Sequence, residues 1–523
     1  MIKPTLLAST LAFALAGCGG GEGGGGGSTP SVPYFKANFV YLESVDVDTK
    51  TACRVYDYGY DSTSDTPEIP TTKVIGYTAN PNSGYSIVIH NADGSVVSKY
   101  SRSDWGSSAT SYRFKQSEVP TNGYVSFLSR ISLGSGKYSY QVSTYAKNLL
   151  PDTVSVFAGG SYGSPASTNC ITGSNTTYKE YSGYIYQAQS SSNDRYFGFN
   201  TYQQSLEQLS SPGDYYSTLG VISGGISFYA PTNKRVLGVS YSRSGTDITG
   251  IEEYAFLPLS ALGTSDEPVE LTAVDNNAVP WYIPTDDATL SSANIHVYTS
   301  NTGAVLWQPL TTDEDGTFGY TSDISNYYLT LAGSYLDTSS NAWTFQYVDE
   351  ISAPSSQVDS ATTISDLNLP SVPTVAVGSC SVADSGSCFA VDLDSSSFDD
   401  AVQRLKIYNT DDSMGTVNQV IYADYSAEVP VMSFDVDGDS DANIDDILTS
   451  GSGFSSELSL LSQDASALDT AFLYNQQDLV ELVETNINEF NDSLPLIETF
   501  TNYSAQQNLF KYTPHILLQA SSD

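Results

Sequence analysis

The chain has 523 residues, 40% of them hydrophobic, which is too many for a single core and too apolar for general disorder. Its formal net charge is −39, with 20 Lys and Arg against 59 Asp and Glu. A surface so poor in cations excludes nucleic acid as a partner, since that affinity comes largely from cationic contacts to phosphate, and it disfavours a body lying flat on anionic lipid.

Met1, Ile2 and Lys3 place one positive charge ahead of an apolar run from Thr5 to Ala16. The run is shorter than the roughly 20 residues that cross a hydrocarbon core, so it reads as a secretory signal. It ends in Leu15-Ala16-Gly17-Cys18. These four residues resemble the lipobox of bacterial lipoproteins. The resemblance implies removal of residues 1–17 and a covalently lipidated Cys18 as the new N-terminus. Gly19 follows, where an aspartate is associated in that family with inner-membrane retention, so the implied address is the outer membrane. Residues 19–28 then read GGGEGGGGGS. Such a run has no side chains to bury, and segment 18–32 is expected to be a lipidated cysteine with a flexible tether. Two or three acyl chains make a stable anchor at about 0.8 kcal/mol per buried CH2.

An exported chain favours disulfides. Four of the five cysteines remain once Cys18 is lipidated, and four allow three connectivities. Cys380 and Cys388 enclose a turn-rich segment and are read as a local staple, which leaves Cys53 and Cys170 for each other. No C-x-x-C spacing is present, so a structural role is preferred to redox catalysis.

The expected fold class is mainly β: several β-sandwich-like domains, with a C-terminal α+β region that contains one amphipathic helix. The 38 tyrosines and 41 glycines suit pleated, half-wet surfaces joined by tight turns. Residues 33–175 form the first expected β domain, holding both Cys53 and Cys170. In it, Ser86 to His90 and Ser95 to Val97 flank Asn91-Ala92-Asp93-Gly94, a hairpin signal, and Tyr138, Tyr140 and Val142 alternate with polar residues. Residues 176–268 form a second β domain, with strands at Gly183 to Gln187 and Val236 to Tyr241 and a short helix at Tyr202 to Leu209.

Residues 269–351 form a third, with strands at Ile295 to Tyr298, Tyr327 to Leu331 and Trp343 to Val348. Thr311 to Phe318, in a T-x-x-D-G-x-F arrangement between strands, resembles the small prealbumin-like sandwiches found on many exported proteins. That resemblance implies an Ig- or prealbumin-like module here, and the similar order in 86–127 raises an internal repeat. Residues 352–374, rich in Ser, Thr and Pro, read as a linker to an acidic domain over 375–523. There, Leu468, Phe472, Leu479, Leu482, Val483, Ile487 and Phe490 recur at helical steps, predicting an amphipathic helix over 467–489.

The sharpest chemical motif runs from Asp435 to Asp446. Asp435, Asp437, Asp439 and Asn443 fill positions one, three, five and nine, Asp441 offers a carbonyl, and Asp446 is twelfth. Calcium takes six to eight oxygens, and alternate residues of a tight loop converge on one centre. The loop resembles the calcium loops of FG-GAP-type and dockerin-like repeats, though Ser440 replaces the usual glycine and Asp446 the usual glutamate of an EF-hand. The resemblance implies a structural calcium; a solvated acidic turn is the alternative. The three histidines, His90, His296 and His515, are far apart, and no nucleophile or phosphate-binding motif accompanies them, so no catalytic residues are assigned.

The expected function is a surface-anchored outer-membrane lipoprotein with a structural or adhesive role: a surface layer, an appendage or a flagellar sheath. A periplasm-facing binding or assembly module for polysaccharide or protein, and a glycan hydrolase, are the alternatives. A groove of exposed Trp105, Trp281, Trp307 and Trp343 would favour the glycan reading.

Overall fold

The structure is a computed structural model. It describes residues 32–49, 52–60, 70–157, 170–172, 178–186, 195–202, 216–219, 225–245, 247–283, 288–337, 341–351, 358–359, 371–381, 386–391, 401–426, 428–435, 443–449, 455–461, 495–496 and 515–522. The chain divides into a unit ending at Pro33 and a unit beginning at Tyr34. Cys18, the glycine tether, the expected helix at 202–209 beyond Tyr202, and the expected helix at 467–489 lie outside the described residues.

Nearly all the described elements are strands. The first are β1 (Tyr34–Asp46), β2 (Val55–Tyr60), β3 (Pro70–Thr78), β4 (Ser86–His90), β5 (Val96–Tyr100), a short helix α1 (Arg102–Trp105), β6 (Ser111–Lys115), β7 (Tyr124–Gly134), β8 (Lys137–Ala146) and β9 (Thr153–Phe157). There follow β10 (Tyr178–Gly183), β11 (Arg195–Asn200), β12 (Tyr216–Leu219), β13 (Ile226–Pro231), β14 (Val236–Ser244) and β15 (Asp247–Leu257). Next come β16 (Thr272–Ala273), β17 (Asn276–Tyr282), β18 (Ala288–Thr299), β19 (Gly303–Pro309), β20 (Gly316–Tyr320), β21 (Tyr327–Leu336), β22 (Ala342–Glu350) and β23 (Val358–Asp359). The last are β24 (Val375–Ser379), β25 (Ser387–Val391), β26 (Val402–Asp411), β27 (Gly415–Asp424), β28 (Glu428–Pro430), helix α2 (Asn443–Thr449), β29 (Ser455–Leu461), β30 (Pro495–Leu496) and β31 (His515–Ser522).

The alternation in the sequence explains the principal strands. In β8, Tyr140 and Val142 join one core and Tyr145 the other, because successive side chains leave a strand on opposite faces. The Asp-Gly hairpin forms between β4 and β5, and Gly94 adopts φ +81, a left-handed conformation that a side chain would resist. A Cβ there would also lie 2.7 Å from the carbonyl oxygen of Val431, so this glycine lets the hairpin dock against the C-terminal region.

The central element is a sheet of twelve strands in the order β19-β18-β21-β22-β31-β29-β26-β27-β8-β7-β4-β5. It draws on residue ranges expected to form three separate domains: 33–175, 269–351 and 375–523. Sheet boundaries and the expected domain boundaries therefore do not coincide. The join between the first and last ranges is a parallel pairing of β8 with β27, from Tyr138↔Gly415 to Tyr145↔Tyr422. The segment at 358–359, inside the expected linker, pairs with β17 as β23.

Both faces of the large sheet are covered. On one, Phe127, Tyr145, Val420 and Tyr422 pack with Phe35, Ala37 and Phe39 of β1 and Val154 and Val156 of β9, which belong to a six-stranded sheet. On the other, Val305, Trp307, Tyr327 and Trp343 pack with Leu237, Val239 and Tyr241 of β14, in a five-stranded sheet, and with Phe389 of β25. The opposite face of β14 contributes Val236 to a smaller core with Phe199 and Phe228. The result is a stack of sheets sharing cores, the sandwich-like arrangement that the composition implies.

Cys53 lies beside Cys170 with Cα atoms 4.7 Å apart, and Cys380 beside Cys388 at 5.0 Å, both at disulfide distance. The first pair ties the strand bridges Cys53↔Thr172 and Tyr77↔Cys170 together. The second spans the β24–β25 hairpin, where Gly378 faces Cys388.

Candidate functional site

Buried residues stand at both ends of the acidic segment 435–446. On the N-terminal side Met432 and Phe434 are fully buried; on the C-terminal side Ile444, Ile447 and Leu448 of α2 are fully buried. Apolar residues at i, i+3 and i+4 put one face of α2 into the core, and the side-chain amide of Asn409 donates to the carbonyl of Ile447 at 2.8 Å. Both ends of the segment are thus fixed by burial.

They are also fixed to each other. The carboxylate of Asp445 accepts the hydroxyl of Ser433 at 2.7 Å and the backbone N–H of Phe434 at 3.1 Å. Burial pushes the Asp445 carboxyl above its ordinary value, the hydrogen bonds from Ser433 and Phe434 pull it down, and the charges of Asp435 and Asp446 add to the upward push. Ser433 also donates its backbone N–H to the carbonyl of Gly94 at 3.0 Å, which ties the base of the loop to the β4–β5 turn.

Of the candidate calcium ligands, Asp435 is exposed at the base of the loop and Asp446 is exposed in the first turn of α2. Asn443 begins that helix. Asp437, Asp439 and Asp441 lie outside the described residues. Among the described residues, no three His, Cys, Asp or Glu side chains are grouped to hold one ion. The closure of the loop by Asp445 was not legible in the sequence, because its partners stand eleven and twelve residues away.

His90 packs edge-on against Phe434, with ring centroids 5.3 Å apart. It is fully buried, and desolvation lowers its pKa to about 3, so it is neutral. Its Nδ1 lies 3.2 Å from the carbonyl of Gly94, which only accepts, so Nδ1 carries the proton and Nε2 is the acceptor. The direction of the rest of the chain follows. Ser126 donates its hydroxyl to His90 Nε2 at 2.8 Å and accepts from Thr144 at 2.8 Å, and Thr144 accepts from the Gln419 amide at 3.1 Å. This buried line of polar groups crosses β4, β7, β8 and β27, joining residues 275 apart in sequence. His296 is likewise fully buried, with its pKa lowered to about 3 by desolvation, and its Nδ1 lies 3.2 Å from the Thr330 hydroxyl. His515 begins β31.

No family model matches this chain, and no curated protein sequence matches it.

The four tryptophans do not form a surface groove. Trp281, Trp307 and Trp343 are fully buried. Trp281 donates its indole N–H to the carbonyl of Thr311 at 2.9 Å, and Trp307 donates to that of Gly319 at 2.7 Å. Trp105, half-buried on α1, packs on Phe39, Tyr85 and Tyr112, with centroids 5.2, 6.5 and 5.4 Å away. Three of the four rings therefore serve the core and have no face to offer a sugar. The Thr311–Phe318 motif is part of this packing: Thr311 receives the Trp281 N–H, its hydroxyl donates to Glu314 O at 2.7 Å, and Phe318 is buried against Tyr327.

Among the described carboxyls, burial raises the pKa of Asp349 as well as Asp445. Asp349 accepts the Tyr347 hydroxyl at 2.9 Å. Its neighbour Glu350 points to the other face of β22, so these two carboxylates do not converge.

Proposed function

We propose that this is a lipid-anchored outer-membrane protein with a structural or adhesive role at the cell surface, held by acyl chains on Cys18 and carried on the glycine tether. The observation that supports the reading is the interlocked body. Strands from its first and last parts pair side by side in one sheet, β8 against β27, and the buried chain from His90 to Gln419 crosses that join. Each residue range thereby lends its hydrogen bonds to the others, and the two cysteine pairs reinforce the assembly. A body of this kind resists local opening, which suits a component of a surface layer, an appendage or a sheath.

The acidic segment belongs to the same reading. Asp435 and Asp446 flank a loop whose base Asp445 closes, and a calcium ion among Asp435, Asp437, Asp439, Asp441, Asn443 and Asp446 would offset their mutual repulsion and brace the C-terminal region. The experiment for the whole reading is protease treatment of intact cells followed by immunoblotting for the body. Loss of the band is expected. A band that is protected until the outer membrane is opened would instead assign the protein to periplasmic partners.

A further inference from the structure

Most strands of the twelve-stranded sheet are tied to a neighbour by a hairpin: β4 to β5, β7 to β8, β18 to β19, β21 to β22 and β26 to β27. Strand β31 is held differently. It lies between β22 and β29, which are bonded to it and not to each other. Five residues pair with β22, from Thr344↔Gln519 to Val348↔His515, and six with β29, from Ser456↔Ser522 to Leu461↔Leu517. Ile516, Leu518 and Ala520 enter the core on one face of the sheet, and Leu517 enters the core on the other. Without β31 the sheet would be two sheets, each with an open edge of unpaired backbone groups between two apolar faces.

The route to β31 is long. Residues 462–514 separate it from β29, and within them the described pairing is β30 with β9, at Pro495↔Val156 and Leu496↔Ser155. Beyond β30, the eighteen residues 497–514 have a contour length of at most about 65 Å. A connection of that length does not fix, as a short hairpin does, which copy's slot receives the strand. Exchange of an identical element preserves every contact, so concentration and the connection decide between the two forms.

We infer that β31 is an exchangeable strand, and that the slot between β22 and β29 is a docking site for the β31 of a second copy of this chain. The slot selects that partner by register: the backbone of both flanking strands is paired, and alternate side chains fill a core on each face. This inference is independent of the lipid anchor and of the acidic loop.

Thr344 is exposed and Gln519 is half-buried, and they face each other across β22 and β31, with the Thr344 hydroxyl donating to the Gln519 carbonyl at 3.2 Å. Thr344→Cys and Gln519→Cys are made separately in the full chain, and the two proteins are mixed and mildly oxidised. The double variant, oxidised at low concentration, shows that a single chain closes its own 344–519 link. Exchange predicts that the mixture yields a covalent dimer linked from position 344 of one copy to 519 of the other, identified by peptide mapping, with a yield that rises with protein concentration. A mixture that stays monomeric, or that gives only like-to-like dimers, while the double variant closes internally, overturns the inference.

Discussion

Asp445 accepts the backbone N–H of Phe434 at 3.1 Å, and this bond closes the acidic segment at its base. The carboxylate is half-buried, and each of its oxygens accepts one of these hydrogen bonds. Asp445→Ala leaves the Phe434 N–H and the Ser433 hydroxyl without their acceptor and should cost about 1–3 kcal/mol, read from urea unfolding. Asp445→Asn keeps a carbonyl acceptor without a charge to desolvate, and should cost less than the alanine variant. Equal losses in the two would mean that the carboxylate charge itself carries the closure.

Buried, neutral His90 and His296 give the protein a defined response to acid. Each has a folded pKa near 3, against about 6.5 when unfolded. Below the unfolded value the unfolded chain binds protons that the folded chain refuses, so stability falls as pH drops from about 6.5 toward 3. The slope approaches about 1.4 kcal/mol per pH unit for each histidine. Asp349 and Asp445, raised by burial, act in the opposite sense at the acid end, because their folded forms bind protons more readily. Protonating His90 would also turn its acceptor Nε2 into a donor facing the Ser126 hydroxyl, and so reverse the Ser126–Thr144 bond, while the Gln419 amide goes on donating to Thr144. Urea unfolding of a His90→Gln variant should show a shallower pH slope between 6 and 5 than the parent, by about one proton. An unchanged slope would place the titration elsewhere.

Calcium should act on the region around α2. EDTA is expected to lower the melting temperature and added Ca2+ to restore it, and the Asp437→Asn, Asp439→Asn double variant should abolish the difference. A melt unaffected by either addition would leave segment 435–446 as an acidic turn with a closed base.

The two cysteine pairs close loops of very different length, with sequence separations of 117 and 8. In the chain-entropy model their removal costs about 5 and about 2.5 kcal/mol. Cys53→Ser with Cys170→Ser should therefore lower stability more than Cys380→Ser with Cys388→Ser, in denaturant midpoints measured under the same conditions. The reverse order would point to strain or to a structured unfolded state.

Cys18→Ser should move the body from the membrane fraction to the soluble fraction without changing its melting temperature. Continued dependence on detergent would defeat the lipid-anchor reading.

Much of the local structure was legible in the sequence. The Asn91–Gly94 turn, the alternation around Tyr140 and the Thr311–Phe318 turn all announce strands, and they are found in β4–β5, β8 and β20. Such signals depend on a few adjacent residues, where backbone preference and side-chain period act directly. The pairing of the cysteines was legible as well, because a local staple left only one other pair. The candidate loop was legible only as a composition; its closure depends on Asp445 and Phe434 meeting, and nothing near either residue indicates it.

What the sequence determined by itself is the local character of each segment: which stretches are pleated and where a turn must bend. What only the tertiary structure decided is which strand lies beside which. β8 pairs with β27, β31 sits between β22 and β29, and three of the four tryptophans, apt as sugar platforms by residue type, are spent on the core. A strand's period specifies which face is apolar and is silent on its neighbour. Partners are chosen by the collective fit of the buried faces and by the need to pair every edge, and both belong to the folded chain as a whole.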